Sequence, residues 1–246
     1  MSTNRVIAIL GAGGALGAAI SSRLGAEADT DLVLSDVSDA SLHDTVAGIT
    51  GAGAVEQVIA DVTDQAQVDA VVERAVERFG RLDVLISNAG VLAPNGRIHN
   101  LTDADWHRTI DINLMGSVHA VQAAVGPMRA QGSGSIILTA SVAGMTAWSH
   151  AAPYCVTKAA VIHLAKVAAV EYARDGIRVN CVCPGTFLSK IHDDLPPEAI
   201  DAMAVKHPLG LGAAPDLAGA YSYLASNAAN WTTGSALVVD GGYSAP

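Results

Sequence analysis

The sequence predicts an α/β protein: a single-domain, Rossmann-type, doubly wound parallel sheet of about seven strands with helices on both faces. Three observations predict it. Short apolar runs alternate with longer segments of helical period along the whole chain. A glycine-rich turn follows the first apolar run directly and opens a helix. No linker, repeat or low-complexity tract interrupts the 246 residues, so one domain spanning 1–246 is expected, large enough for a sizeable core.

Strands are read near 5–10, 31–35, 55–60, 82–87, 134–140, 177–183 and 235–239, and helices near 14–26, 39–50, 64–79, 102–130, 152–174 and 215–228. The first strand, Val6-Ile7-Ala8-Ile9-Leu10, enters Gly11-Ala12-Gly13-Gly14-Ala15-Leu16-Gly17. Glycines in such a turn let the backbone approach a pyrophosphate, and the following helix N-terminus stabilises it. The strict G-x-G-x-x-G spacing is not met, because Leu16 holds the last glycine's place and Gly17 follows it. The helix at 64–79 has the cleanest period: Val68, Val71, Val72, Ala75, Val76 and Phe79 form one stripe opposite Glu73, Arg74, Glu77 and Arg78. The long helix at 102–130 carries Gly126-Pro127 and should kink or restart there. The run Ser135-Ile136-Ile137-Leu138-Thr139-Ala140 reads as a buried strand, and Ser141 ends it, where parallel sheets bind ligands. The segment 186–214, with Pro196, Pro197, Pro208 and several glycines, is the least regular and reads as a mobile flap over the site.

Tyr154 and Lys158 open the helix at 152–174, four apart and so on one face. An unperturbed tyrosine has a pKa near ~10. A nearby ammonium favours the phenolate and lowers that value, so the pair can serve as a tuned acid/base. The rest of this helix is apolar nearly all round. One side can pack on the sheet; the other needs a partner.

Together these residues resemble the short-chain dehydrogenase/reductase family over nearly the whole chain. The family's T-G-x-x-x-G-x-G motif reads Leu10-Gly11-Ala12-Gly13-Gly14-Ala15-Leu16-Gly17 here, with Leu10 for the threonine and Ala15 for the middle glycine. Asp61 and Val62 follow a strand where the family contacts adenine. Ser87-Asn88-Ala89-Gly90 is similar to N-N-A-G with its first asparagine replaced. Asn113, Ser141, Tyr154 and Lys158 match the catalytic tetrad, and Pro184-Gly185 and Val239-Asp240-Gly241-Gly242 match later motifs.

The resemblance implies hydride transfer between a nicotinamide cofactor and an alcohol or ketone. Tyr154 would carry the proton, and Lys158 would tune it and hold the nicotinamide ribose. Ser141 would bond the substrate oxygen. Asn113 would fix a water linking Lys158 to solvent, and Thr186 would bind the carboxamide. The expected cofactor contacts are Gly11, Gly13, Gly14, Leu16, Gly17, Asp36, Asp61, Val62, Asn88, Ala89, Gly90, Tyr154, Lys158, Pro184, Gly185 and Thr186. Asp36 ends the second strand. A carboxylate there accepts from a ribose 2′-hydroxyl and repels a 2′-phosphate. No Lys or Arg lies in 11–17 or 37–40 to offset that repulsion, so NAD is expected over NADP. The methyl of Ala15 is expected to hold the pyrophosphate slightly off.

The expected substrate wall is Val142, Ala143, Gly144, Met145 and Trp148, joined from the flap by Phe187, Leu188, Ile191, Leu195 and Met203. It is apolar, with Lys190 and Lys206 the flap's cations and no arginine placed to clamp a carboxylate. A neutral hydrophobic secondary alcohol or its ketone, cyclic ones included, is therefore expected. The alternatives are reduction of a 3-oxoacyl thioester and, in another class, a non-catalytic NAD-binding sensor or structural protein. The last has no need of Tyr154 and Lys158 together.

Net charge is −10, which argues against nucleic-acid and anionic-membrane partners. The chain runs straight into its first strand with no room for a signal peptide, and no apolar run prefers a membrane span over a core element; a cytoplasmic protein is expected. Three cysteines cannot all pair, and reduced thiols are expected, with Cys181 and Cys183 read as facing opposite sides of their strand. The eight histidines form no H-E-x-x-H or zinc-like cluster, so no metal is expected, and His150 reads as a surface loop residue. Family members commonly assemble through the helix at 152–174 and the one before it, which implies a homo-oligomer, a homotetramer first.

Overall fold

The computed structural model describes residues 4–189 and 196–245. Nine strands appear in chain order: β1 (Arg5–Leu10), β2 (Thr30–Asp36), β3 (Val55–Ile59), β4 (Val84–Ser87), β5 (Gly134–Thr139), β6 (Ile177–Pro184), β7 (Phe187–Leu188), β8 (Gly212–Ala213) and β9 (Ala236–Val239). Seven of them form one sheet in the order β3-β2-β1-β4-β5-β6-β9, every neighbouring pair parallel. The order reverses between β1 and β4, which creates a crevice at the strands' C-terminal ends. The glycine turn leaves β1 at that crevice, and Asn88 leaves β4 beside it.

The helices are α1 (Ala15–Gly25), α2 (Asp39–Ala47), α3 (Gln65–Phe79), α4 (Asp103–Ile110), α5 (Gly116–Gln131), α6 (Ala152–Tyr172), α7 (Pro197–Ala204) and α8 (Ala214–Ala225). Side chains alternate across each strand, so the sheet feeds two apolar layers. Val6, Ala8 and Leu10 pack with α3, α5 and α6, while Ile7 and Ile9 pack with α1 and α8. Each fully buried Leu, Ile, Val or Phe contributes roughly 1.5–3 kcal/mol, which is why this alternation sets the register. In α3, Asp64 caps the N-terminus and Gly80, at φ +83°, ends the helix. Val68, Val71, Val72, Ala75 and Phe79 are buried as the stripe predicts, but Val76 is 38% exposed. Arg74 and Arg78 reach Glu56 on β3 at 3.9 and 3.1 Å.

The predicted helix at 102–130 is interrupted, though not at the proline. A π-helical turn, Asp111–Met115, separates α4 from α5, and Asn113 sits inside it. Pro127 lies within α5, which runs on to Gln131. A proline inside a helix lacks the N–H for the i−4 bond and crowds that carbonyl, yet Ala124 and Met128 on either side are buried in the core and keep the turn helical. Cys181 and Cys183 correct a second expectation. Both are buried in the same apolar layer, because residues two apart on a strand share a face. Within 186–214 the described residues form β7 and β8, paired in parallel, and α7. Lys190, Ile191, His192 and Leu195 lie outside the described residues.

Among the described residues one helical stretch, Ala152–Asp175, is long and apolar enough to cross a membrane. Here Val161, Ala165, Ala168 and Ala169 of α6 are buried in the sheet layer. Val156, Val167 and Val170 remain on its outer side, Val170 at 82% exposure.

Candidate active site

The glycine turn is built by close approach. Gly11 has φ +77°, and a Cβ there would lie 2.5 Å from the Ala89 nitrogen. A Cβ on Gly17 would run into the Gly11 carbonyl, and one on Gly13 would lie 2.9 Å from the Asp36 carboxyl carbon. Gly14 differs: nothing stands within 4 Å of its Cβ position. It is the N-cap of α1 and offers no capping side chain, so the N–H groups of the first turn are free for an anion. A dinucleotide pyrophosphate fits this cradle. Leu16 is a core residue and can offer the cradle only its backbone.

The neighbouring contacts frame the same crevice. Asp36 Oδ2 accepts from the Gly13 nitrogen at 2.9 Å and Oδ1 from the Ser38 nitrogen at 3.0 Å, which fixes the carboxylate beside the turn. Asn88 Nδ2 donates to the Gly11 carbonyl at 2.9 Å. Asp61 Oδ1 accepts from both the nitrogen and the hydroxyl of Thr63. The Val62 carbonyl accepts from His119 Nδ1 at 2.8 Å. Gly185 donates to the Val239 carbonyl at 2.9 Å, and a Cβ on it would lie 2.6 Å from Asp240 Cα.

The four residues of the tetrad come from three elements and meet beside that crevice. Ser141 leaves β5 and its Oγ accepts from the Ala143 nitrogen at 3.1 Å. Tyr154 stands in the first turn of α6, its phenol close enough to Ser141 for the serine to favour its ionised form. Lys158, 3% exposed, donates from Nζ to the Thr139 carbonyl at 2.7 Å and lies 5.7 Å from the centre of the Tyr154 ring. Asn113 is fully buried. Its Oδ1 accepts from the Val91 nitrogen at 2.8 Å, and its Nδ2 donates to the Val91 carbonyl at 2.9 Å and to Thr157 Oγ1 at 3.3 Å. Gly90 runs between them: a Cβ there would lie 3.3 Å from both Asn113 Oδ1 and Lys158 Nζ.

Burial governs the electrostatics. It brings the Lys158 ammonium down to about 8, so the lysine is mostly charged at neutral pH. It pushes the Tyr154 phenol up, more than Ser141 pulls it down. The expected net lowering of Tyr154 is thus not what this geometry gives; desolvation of the phenol sets the direction. Tyr154 is a proton donor at neutral pH and an acceptor only as pH rises.

Of the expected substrate wall, Val142 and Ala143 are fully buried and present no surface. Met145 and Leu188 are about half exposed, and Phe187 packs back toward the apolar layer under β1. Trp148 stacks on Tyr154, ring centres 6.1 Å apart and planes at 27°. His150 is exposed, at φ +67°, with Nδ1 2.7 Å from Ser149 Oγ. Sequence reasoning missed His207 and Tyr243. His207 is buried: its Nδ1–H donates to the Met203 carbonyl at 2.9 Å, and its Nε2 accepts from the Thr186 nitrogen at 3.2 Å. The one sequence signal for Tyr243 was its place just after Asp240-Gly241-Gly242. Among the described residues no three His, Cys, Asp or Glu side chains gather as a metal site.

A pyrophosphate cradle at the sheet's reversal point, with a serine, tyrosine and lysine gathered beside it, defines a dinucleotide-dependent oxidoreductase. The comparisons with known proteins agree. Residues 11–244 match the family model described as enoyl-(acyl carrier protein) reductase. The chain is 39% identical to cis-4-hydroxycyclohexanecarboxylate dehydrogenase of Sinomonas cyclohexanicum, over 98% of this chain and 97% of the relative. It is 34% identical to levodione reductase of Leifsonia aquatica, over 99% of this chain and 95% of the relative. The crystal structure of levodione reductase superposes with a TM-score of 0.92 at 33% identity, covering 100% of this chain and 99% of that one. The chain belongs to the short-chain dehydrogenase/reductase family and is an oxidoreductase of that family.

Proposed function

We propose that this protein oxidises a neutral, hydrophobic secondary alcohol, cyclic alcohols included, with NAD, and reduces the matching ketone in reverse. The observation that carries this reading is the gathering of Ser141, Tyr154 and a buried Lys158 beside an open, anion-accepting glycine turn. A bound NAD would supply the hydride acceptor for the carbinol carbon. Everything else falls to side chains. Ser141 donates to the substrate oxygen and holds it against the Tyr154 phenol. Tyr154 takes the alcohol proton, or gives one to the ketone. Lys158 keeps a positive charge below it, and Asn113 braces the Val91 backbone around Gly90 and Lys158. The Gly14 end of α1 would hold the pyrophosphate. Asp36 would accept from the ribose 2′-hydroxyl, and no ion pair among the described residues neutralises it against a 2′-phosphate.

Two relatives bear names of ring compounds, hydroxycyclohexanecarboxylate and levodione, which supports a cyclic substrate. The apolar flank of Met145, Trp148 and Leu188 supports a neutral one. We also propose a cytoplasmic homotetramer, joined in part through the exposed valines of α6. Light scattering at micromolar concentration tests it, and a monomeric mass would contradict it. The function is tested by assaying alcohols, hydroxy acids and 3-oxoacyl thioesters with NAD(H). Faster kcat/KM for charged hydroxy acids or acyl thioesters than for every neutral alcohol and ketone would overturn it.

A further inference from the structure

The chain carries only ten aromatic residues, five Tyr, three Trp and two Phe. Three of them nevertheless cluster at the catalytic phenol, so abundance does not explain the grouping. Trp148 stacks on Tyr154, ring centres 6.1 Å apart. Tyr243 meets Trp148 edge-on, at 6.2 Å and 81°. Tyr243 in turn lies 4.9 Å from the His207 ring.

Tyr243 belongs to the C-terminal tail, yet that tail is tied down. Asp240 Oδ1 accepts from the Gly242 nitrogen at 2.9 Å, and Oδ2 accepts from the nitrogen and hydroxyl of Ser244 at 2.8 and 2.6 Å. The Leu209 nitrogen donates to the Gly241 carbonyl at 3.0 Å. Gly242, at φ +89°, leaves room for Pro208, which a Cβ would crowd at 3.0 Å. Trp148 is held differently. Its Nε1 is buried with no hydrogen-bond partner among the described residues, so ring contacts rather than a polar anchor set where the indole stands. Besides Tyr154, the ring that contacts it is that of Tyr243.

We infer that Tyr243 is a specificity-determining residue of this site. It braces Trp148 where the indole stacks on the Tyr154 ring, and the flat indole beside the phenol favours ring-bearing alcohols over flexible open-chain ones. This rests on the alcohol dehydrogenase reading above and names the substrate shape within it. His207 lies against the Tyr243 ring and bonds Thr186 and Met203, which ties the position of Tyr243 to those residues.

The test uses wild type, Tyr243→Phe, Tyr243→Leu and Tyr243→Ala, with cyclohexanol and 2-hexanol as the paired substrates and NAD as cofactor. The readout is the ratio of kcat/KM values for cyclic over open-chain alcohol. Tyr243→Ala and Tyr243→Leu are expected to lower it by about 10-fold, the scale of a lost aromatic contact. Tyr243→Phe should restore it, and the dissociation constant for NAD should not move in any variant. An unchanged ratio in either non-aromatic variant that keeps its melting temperature overturns this inference alone. Failure of wild type to oxidise either alcohol overturns the functional reading and this inference with it.

Discussion

Replacing Lys158 with methionine isolates the electrostatic cost built into the site. Met has nearly the length of Lys but no charge, and the position is 3% exposed. The ammonium falls from the ordinary 10.5 to about 8 in the folded protein because burial penalises its charge. By linkage that difference is worth about 3 kcal/mol. The sign follows from proton occupancy. Below pH 8 the lysine is charged in both states, and the folded state bears the full burial penalty. Between pH 8 and 10.5 the unfolded chain holds the proton and the folded one has released it, so rising pH stabilises wild type at this site. The Lys158→Met protein has no such group. Its stability relative to wild type should therefore fall by about 3 kcal/mol across that window. The lost hydrogen bond to the Thr139 carbonyl adds a destabilisation of about 1–3 kcal/mol that does not vary with pH, and so cannot mimic the trend. The assay is urea unfolding of both proteins, without NAD and at one protein concentration, at several values from pH 7 to 10. A difference curve that is flat, or that rises with pH, would refute the reasoning.

Four further outcomes are expected. Tyr154→Phe should keep the fold and NAD affinity yet lose at least ~10²-fold in kcat; wild-type turnover would remove the mechanism. Because burial favours the neutral phenol, alcohol oxidation by wild type should rise with pH while ketone reduction falls, and parallel profiles would contradict that assignment. Asp36→Ala should lower the NAD-over-NADP preference in kcat/KM by roughly 10- to 100-fold, the worth of a hydrogen bond to a charged group; an unchanged ratio would place the discrimination elsewhere. Gly144→Ala would set a Cβ 2.6 Å from the Lys158 carbonyl carbon and 2.7 Å from the Ala159 nitrogen, both backbone atoms of α6. Overpacking of that kind costs about 1–3 kcal/mol, read as a lower urea midpoint, and should also displace Tyr154 enough to lower kcat.

The sheet was legible because its central strands are apolar runs bounded by turn residues, with edge strand β3 carrying Glu56 and Gln57, and the two-residue alternation fills both layers. The tetrad was legible because its spacing is local: Tyr154 and Lys158 share one helix face whatever surrounds them. What escaped depends on contacts distant in sequence. His207 and Tyr243 gain their place only when α7, the tail and the Ser141 loop converge, and no local pattern encodes that. Pro127 misled because α5 runs on through it, with Ala124 and Met128 buried on either side holding that turn against the core. The raised Tyr154 phenol escaped for a related reason. Proximity of a lysine is visible in sequence, but the depth at which both groups are desolvated is a property of the packed protein.

The π-helical turn at Asp111–Met115 has a consequence for counting. Such a turn holds one residue more than the α-helical turn it replaces. The segment is pinned at both ends, by the Thr102–Asp105 capping box at the start of α4 and by Gly116 pressed against Val62 at the start of α5. Excising one residue would let α4 and α5 fuse into a single, more regular rod. It would also swing the Asn113 amide by about 100° around that rod, away from Val91. The loop over Gly90 and Lys158 would then have a bare N–H and a bare carbonyl where it now has a brace. The surplus residue acts as a spacer, and a chain optimised for helical perfection alone would delete it and lose the site's alignment.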